Sequence, residues 1–352
     1  MRFLCKDCWK AHEPATLLAR CMECDLRTEI SRPDPLQSIV AGGGMFSGGN
    51  GELVCRIHKS QPLELFCDTC KRPVSPRAIL GDRSIIAILG DTASGKTSLL
   101  WIVTDRMRER NGNGISIRQA IGKSDEQLLD AVSEIFERGR PRPTQASDAD
   151  ARNYAWELTM PAGGSGHWVI AFHDAAGEVW RDLGGIEPGD HPRLLRYLDL
   201  IGSVVFAIDG QRVVEGLDVR SRGTVSSPQL RYAESHELTI ADALARRFRA
   251  RGTPVPVAVT LTKADLLWDR DEWSLFRADS GATAEQIDAA VRELFKRSGR
   301  QVLLDTLESS FAPLAFFAVS AFGCTPSAEL RIEDLRPSRV EEPLLALLGV
   351  SR

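Results

Sequence analysis

Residues 90–97 read GDTASGKT, a GxxxxGK[ST] loop. It follows an apolar run, Ser84–Leu89, and leads into Thr97–Arg110, where Leu99, Ile102, Val103 and Met107 recur at helical spacing. This strand–loop–helix unit constrains the chain more than any other feature. Gly90 and Gly95 let the backbone close around a polyanion. The N–H groups of Asp91, Thr92, Ala93 and Ser94 and the helix N-terminus then face the negative charge. Lys96 is expected to reach the terminal phosphates. Thr97 is expected to offer its hydroxyl to Mg²⁺, with Ser98 beside it in the first helical turn.

Beyond this unit, short apolar runs alternate with helical patterns. Tyr154–Met160, Trp168–His173, Ser203–Ile208, Val255–Thr260 and Leu314–Val319 read as strands. Ser124 with Gln127, and Thr283 with Gln286, read as helix-capping boxes, the second followed by Ile287, Val291, Leu294 and Phe295 on one face. The alternation predicts an α/β domain over 81–352, with a mostly parallel central sheet flanked by helices. The polar stretch from Asp209 to Glu237, rich in Ser and Arg, reads as a long mobile loop.

The chain has 352 residues, 26% of them charged, and a net charge of −4. That balance gives no dominant nucleic-acid surface. No apolar run approaches the roughly 20 residues that span a bilayer. The N-terminus, MRFLCKDCWK, lacks a secretory apolar stretch, so a cytoplasmic location is expected.

Three further short motifs fall at strand ends. Residues 262–265 read TKAD, 174–177 read DAAG, and Ser320-Ala321-Phe322 follows the last strand. The carboxylate of Asp265 suits guanine, whose ring N–H and exocyclic amine can both donate to it, whereas adenine would leave it unpaired. Lys263 can lay its stem along the base, and Thr262 opens the motif. Standing alone, TKAD would read as a solvated Lys and Asp at a strand end.

Taken in order, the four motifs resemble those of TRAFAC and Ras-like P-loop GTPases across about residues 84–323. The resemblance implies binding of GTP and GDP with Mg²⁺, and hydrolysis of GTP. It assigns Asp174 to water-mediated Mg²⁺ binding and Gly177 to the γ-phosphate. Ser320, Ala321 and Phe322 are assigned to the guanine side. Its switch threonine, a second Mg²⁺ ligand, is best matched by Thr144 in RGRPRPTQ, since Thr159 falls within an expected strand. Two positions depart from the Ras-like pattern. Thr92 and Ala93 stand where Ras-like loops have glycines, and Glu178 stands where many relatives carry a water-orienting Gln. Slow hydrolysis, raised by a partner, is therefore expected, with Arg140 and Arg142 as candidate charges in the switch loop. The competing readings are a P-loop ATPase adaptor and an interaction module whose nucleotide is only structural.

Seven of the eight cysteines lie within residues 1–70. Cys5-x-x-Cys8, Cys21-x-x-Cys24, Cys55-x-x-His58 and Cys67-x-x-Cys70 each aim two ligands at one ion, which predicts two structural Zn²⁺ sites in a segment 1–80 with a Gly-rich linker over 41–51. Sequential pairing is the preferred arrangement, Cys5, Cys8, Cys21 and Cys24 on one ion and Cys55, His58, Cys67 and Cys70 on the other. Interleaved pairing is the alternative, and His12 is a spare ligand or a surface histidine. Over residues 1–80, Lys and Arg outnumber Asp and Glu by only 11 to nine. Seven thiolates and two zinc ions leave the segment near neutral, which suits protein partners better than nucleic acid. A zinc-ribbon or B-box-like head on such a domain, with the C-terminal EEPLLALL, is similar to bacterial double-GTPase proteins. That resemblance implies a partner GTPase and a role in conflict or defence systems.

Overall fold

A computed structural model describes residues 2–5, 7–12, 18–20, 64–74, 79–80, 85–91, 93–109, 116–119, 152–159, 167–174, 192–221, 228–252, 254–324 and 335–349. The N-terminal segment contributes β1 (Arg2–Leu4), β2 (Ala11–His12), β3 (Leu18–Arg20), β4 (Glu64–Phe66), β5 (Pro73–Val74) and β6 (Ile79–Leu80). These form two small sheets, ordered β2-β1-β6 and β3-β4-β5.

The main sheet is built from β7 (Ile85–Gly90), β8 (Ser116–Gln119), β9 (Arg152–Thr159), β10 (His167–Asp174), β11 (Ile201–Asp209), β12 (Val257–Thr262) and β13 (Leu314–Ala318). Its order is β13-β12-β11-β7-β10-β9-β8. The five strands from β13 to β10 are mutually parallel. β9 runs antiparallel to β10 and β8 antiparallel to β9. Every residue of β7 and β12 is buried, as expected for strands covered on both faces. Alternate residues feed two cores. Leu89, Phe206 and Val259 face one, and Ile88, Val205 and Ala258 face the other.

The helices are α1 (Lys96–Glu109), α2 (Pro192–Leu200), α3 (Gly210–Ser221), α4 (Pro228–Arg251), α5 (Ala284–Ser298), α6 (Gln301–Ser310) and α7 (Glu342–Leu347). The first core takes residues of α2 to α6, and the second takes residues of α1 and α7. The expected capping box opens α5: Gln286 N–H donates to Thr283 Oγ1 at 3.3 Å, and Thr283 N–H to Gln286 Oε1 at 2.8 Å. Ile287, Val291, Leu294 and Phe295 are all buried. The capping box at Ser124 and the linker over 41–51 lie outside the described residues.

One expectation is corrected. Much of the stretch from Asp209 to Glu237 is helical, in α3 and the start of α4. The buried face of α3 is Gly210, Val213, Gly216 and Leu217. Two of these four lack a side chain, so apolar periodicity hardly registers. Gly216 is there for contact: a Cβ on it would stand 2.8 Å from the Ser298 carbonyl at the end of α5.

The parallel order places the C-terminal ends of β7, β11 and β12 side by side. Ala207 pairs with Gly90, and Asp209 with Thr262. After β7 the chain builds β8, β9 and β10 on one side of it and then β11, β12 and β13 on the other, which puts the loop after β7 at the topological switch point, where open α/β sheets bind ligands.

Candidate functional site

The loop after β7 is pressed against β11. Gly90 has φ 150°, and a Cβ there would lie 2.3 Å from the Ala207 carbonyl, so only glycine fits. Ser94 folds back on the turn, its N–H and hydroxyl both donating to the Asp91 carbonyl at 3.3 and 2.8 Å. Lys96 curls over the same loop. Its Nζ donates to the carbonyls of Gly90 and Asp91 at 3.0 and 2.6 Å and lies 3.4 Å from Ser94 Oγ. Thr97 and Ser98 occupy the first turn of α1, both half-buried. Ala93 holds φ 64°, the left-handed region that a glycine would enter freely. An L side chain there costs about 1–2 kcal/mol.

The second motif joins the first through Thr262. Its hydroxyl, buried at the end of β12, lies 2.8 Å from the Ser94 carbonyl and 3.0 Å from that of Ile208. Lys263 follows in a left-handed conformation, φ 52°. Its Nζ is 2.9 Å from Asp209 Oδ1. Asp265 is held by the third motif: Ser320 Oγ donates to its Oδ1 at 2.5 Å and itself accepts from Gly323 N–H at 2.8 Å. Ala264 N–H donates to the Val319 carbonyl at 3.0 Å, which sets the two loops side by side. Ala321 is half-buried beside them. Phe322 turns into the core instead, edge-on to Trp101 of α1 with ring centroids 6.4 Å apart.

Asp174 closes β10, opposite Arg152 of β9. Thr92, Arg140, Arg142, Thr144, Gly177 and Glu178 lie outside the described residues.

No sequence motif marks the charged cluster that meets the loop. Asp91 and Asp209 are each 3% exposed. Arg212 of α3 contacts Asp91 Oδ2 through Nη1, and its Nε is 3.7 Å from Asp209 Oδ2. His236 Nδ1 of α4 lies 3.4 Å from Asp91 Oδ1. Burial opposes the Arg212 charge, but Asp91 and Asp209 more than offset it, so its pKa is held above the ordinary value. Glu237, the residue after His236, forms a buried pair with Arg300 at 2.9 Å. Burial pushes the Glu237 carboxyl up, against the opposing pull of Arg300.

The strand order, the loop and the two base-side motifs agree with a match to the double-GTPase 2 family model over residues 84–328. The chain belongs to the double-GTPase 2 family. No curated protein matches it. Similar solved structures include the signal recognition particle receptor SRβ–GTP/SRX complex of Chaetomium thermophilum, with 16% identity and a TM-score of 0.32, covering 70% of this chain and 94% of that one. The small COPII coat GTPase Sar1 of Encephalitozoon cuniculi, in complex with GDP, shares 15% identity at a TM-score of 0.28, covering 77% and 82%. The GTP-bound Ski7 GTPase-like domain of S. cerevisiae shares 11% at 0.35, covering 76% of this chain and 50% of that one. With such scores, the assignment of this double-GTPase 2 domain to the P-loop GTPase fold rests on strand order and the family match.

The cysteine head forms a separate candidate metal centre. Cys5, Cys8, Cys67 and Cys70 gather with all four sulfurs within 4.8 Å of one another. Cys5 Sγ is 3.5 Å from Cys70 Sγ, and Cys8 Sγ 3.5 Å from Cys67 Sγ. An ion bonded to four thiolates at about 2.3 Å needs sulfur separations of nearly this size. The two turns are built alike. Cys5 N–H donates to the Lys10 carbonyl and Trp9 N–H to that of Cys5. Cys67 N–H likewise donates to Arg72 and Lys71 N–H to Cys67. Trp9 and Lys71 are both left-handed, φ 55° and 58°. The crowded thiols also split one another's acidity. A hydrogen bond from Cys5 takes Cys8 down to about 5, while the same contact and burial drive Cys5 far up. A bound cation relieves that conflict, so the donor set fits Zn²⁺.

The preferred sequential pairing is therefore corrected: the first CxxC joins the last. The cause is strand pairing. β6 returns to lie against β1, Arg2 opposite Leu80, which brings the end of the segment back to its beginning. Cys21, Cys24, Cys55 and His58, the other four expected ligands, lie outside the described residues. His12 is buried rather than on the surface, its Nδ1 3.7 Å from Asp68 Oδ1. Lys10 ties the two turns together through Asp68, at 2.7 Å.

This head touches the GTPase sheet. Trp9, 1% exposed, belongs to the first core and packs on Tyr197 of α2 with ring centroids 4.8 Å apart. Arg196 Nη1 donates to the Cys8 carbonyl at 3.5 Å. Among the described residues no helix is long and apolar enough to cross a membrane.

Proposed function

We propose that this double-GTPase 2 protein binds GTP and GDP with Mg²⁺ and hydrolyses GTP slowly, as a nucleotide-dependent switch whose turnover a partner raises. The observation that carries this reading is the joining of the phosphate loop to the base-side motif: Thr262 holds the Ser94 carbonyl, and Ser320 orients Asp265. A carboxylate fixed in this way is ready to accept two donors from guanine, and adenine offers no such pair. Thr97, Thr144 and Asp174 supply the hard oxygen donors that would hold Mg²⁺, whose charge would offset that of the phosphates. Lys96, now on loop carbonyls, can share its donors with the β- and γ-phosphates. By the family resemblance, Gly177 would donate its N–H to the γ-phosphate and Glu178 would stand by the attacking water. The carboxylate of Glu178 opposes the phosphate charge, which supports slow intrinsic hydrolysis.

The zinc head is proposed as the surface for a protein partner, with a second GTPase as the partner and conflict or defence as the setting. The family resemblance supports that reading. So does the seat of Trp9 on α2, the helix between the DxxG motif and β11 in sequence, because a protein bound to the head would press on the element that leads from that motif into the sheet.

The test is affinity for GTP, GDP and ATP with Mg²⁺, on the wild type and Asp265→Asn. Guanine preference lost in the variant is expected, at roughly tenfold or more in affinity for one misplaced polar partner. ATP binding as tight as GTP binding would refute the guanine assignment and favour the ATPase-adaptor reading. A GDP-bound protein that neither exchanges nor hydrolyses would favour a purely structural nucleotide.

A further inference from the structure

The phosphate loop carries a negative charge of its own. Asp91, the first residue after Gly90, is buried at 3% exposure, and its carbonyl is one of those that Lys96 grips. Loops of this kind gather N–H donors and cations around a polyphosphate, and a buried carboxylate among them works against the ligand. Among the described residues, two side chains face that carboxylate: Arg212 on Oδ2 and His236, at 3.4 Å, on Oδ1. Arg212 is 24% exposed as a side chain and stands between two carboxylates, Asp91 and Asp209. Asp209 in turn accepts from Gln211 N–H at 3.1 Å, at the start of α3, and pairs with Lys263. A chain of alternating charge thus runs from the phosphate loop to the guanine motif through the first turn of α3.

We propose that Arg212 is a positioning residue of the nucleotide site: by neutralising Asp91 and tethering it to α3, it lets a loop with a built-in negative charge accept a polyphosphate. The inference rests on the GTP-binding reading above and adds a residue that no motif contains. Without Arg212, the Asp91 carboxylate is left buried and short of its main counter-charge, close to where the phosphates bind. The penalty then depends on ligand charge. Mg²⁺·GTP carries one more negative charge than Mg²⁺·GDP and suffers more. A lesion that merely loosened the fold would weaken both alike, and removing a second charge would not repair it.

The experiment measures Mg²⁺·GDP and Mg²⁺·GTP affinity by calorimetry on the full chain, for wild type, Arg212→Ala, Arg212→Lys and the double variant Asp91→Asn/Arg212→Ala. Arg212→Ala is expected to weaken GTP binding by roughly tenfold or more, and GDP binding by several-fold less, the scale of one unit charge at an effective dielectric near 20–40. Arg212→Lys should keep most of the affinity, and the double variant should recover most of what Arg212→Ala loses. Should Arg212→Ala fail to fold, Arg212→Lys set against Arg212→Gln carries the same comparison. Equal losses for GDP and GTP, with no recovery in the double variant, would overturn the inference. A wild type that binds neither nucleotide would instead overturn the GTP-binding reading on which it rests.

Discussion

Replacing Trp9 by Ala asks whether the cysteine head and the GTPase sheet share one core. Trp9 sits one residue beyond Cys8, yet it is 1% exposed and belongs to the core that also holds residues of β7, β11 and α2. Burying a side chain of this size removes about 150–250 Å² from water, worth roughly 4–6 kcal/mol at 25 cal/mol/Å². That figure is an upper bound, because an unfolded chain already hides part of the surface. The tilted contact with Tyr197, at 4.8 Å and 43°, adds about 0.5–1 kcal/mol. Trp9→Ala should therefore cost about 3–5 kcal/mol, in the range seen for large aromatic truncations. For a domain of this size, about 2–4 °C of Tm goes with each kcal/mol, so a fall of roughly 6–20 °C is expected. The assay is calorimetric unfolding of the full chain, with zinc content measured on the same samples. A single transition, shifted down with zinc retained, is the predicted result. A GTPase transition at unchanged temperature, beside loss of structure in the head alone, would refute the shared core.

Two other outcomes follow from the geometry. If Cys5, Cys8, Cys67 and Cys70 hold one ion, Cys5→Ser and Cys67→Ser each lower bound zinc by one per chain, and the double variant loses no more than either. Sequential pairing would instead cost two ions in the double variant, read by atomic emission. Ala93→Gly should relieve a left-handed alanine and raise stability by about 0.5–1 kcal/mol once the added chain entropy of glycine is deducted, seen as an increase in the denaturation midpoint. A lower midpoint would mean that the Ala93 methyl makes contacts worth more than its strain.

The elements that periodicity exposed are those whose buried faces are large and apolar. β7 is an unbroken apolar run, and β12 is interrupted only by Thr260 and Thr262, because helices cover both their faces. α5 announces itself through Thr283, Gln286 and a clean apolar stripe. α3 and the start of α4 do not, because burial there is achieved by other means. α3 buries two glycines, and α4 buries His236 and Glu237, whose cost is met by partners far away in sequence. Arg300 lies 63 positions from Glu237 and Arg212 lies 121 from Asp91, separations that no local window contains. Zinc pairing was obscured for a similar reason. CxxC spacing states which two cysteines share a turn, while the choice between turns is made by the return of β6 to β1. The phosphate loop and the TKAD and Ser-Ala motifs were legible because their chemistry is local to a strand end. Asp209 and Arg212 act through partners on other elements, Lys263 and Asp91, and a lone Asp or Arg carries no signal.

Ala93 and the cluster around Asp91 have a common explanation. A loop that wraps a phosphate must hold several residues in conformations that an ordinary chain avoids, and glycine does so without resistance. This loop has glycine at 90 and 95 but alanine at 93, with φ 64°. Its strain has to be opposed from outside, and the opposing contacts come from three different elements. Thr262 fixes the Ser94 carbonyl from β12, Arg212 fixes the Asp91 carboxylate from α3, and His236 faces the same carboxylate from α4. Strained backbone persists only where surrounding structure over-determines it. A loop held in this way forms before the nucleotide arrives, so less ordering entropy is lost on binding. The cost is that helices α3 and α4 are tied to the loop, and any force that shifts them shifts the phosphate site as well.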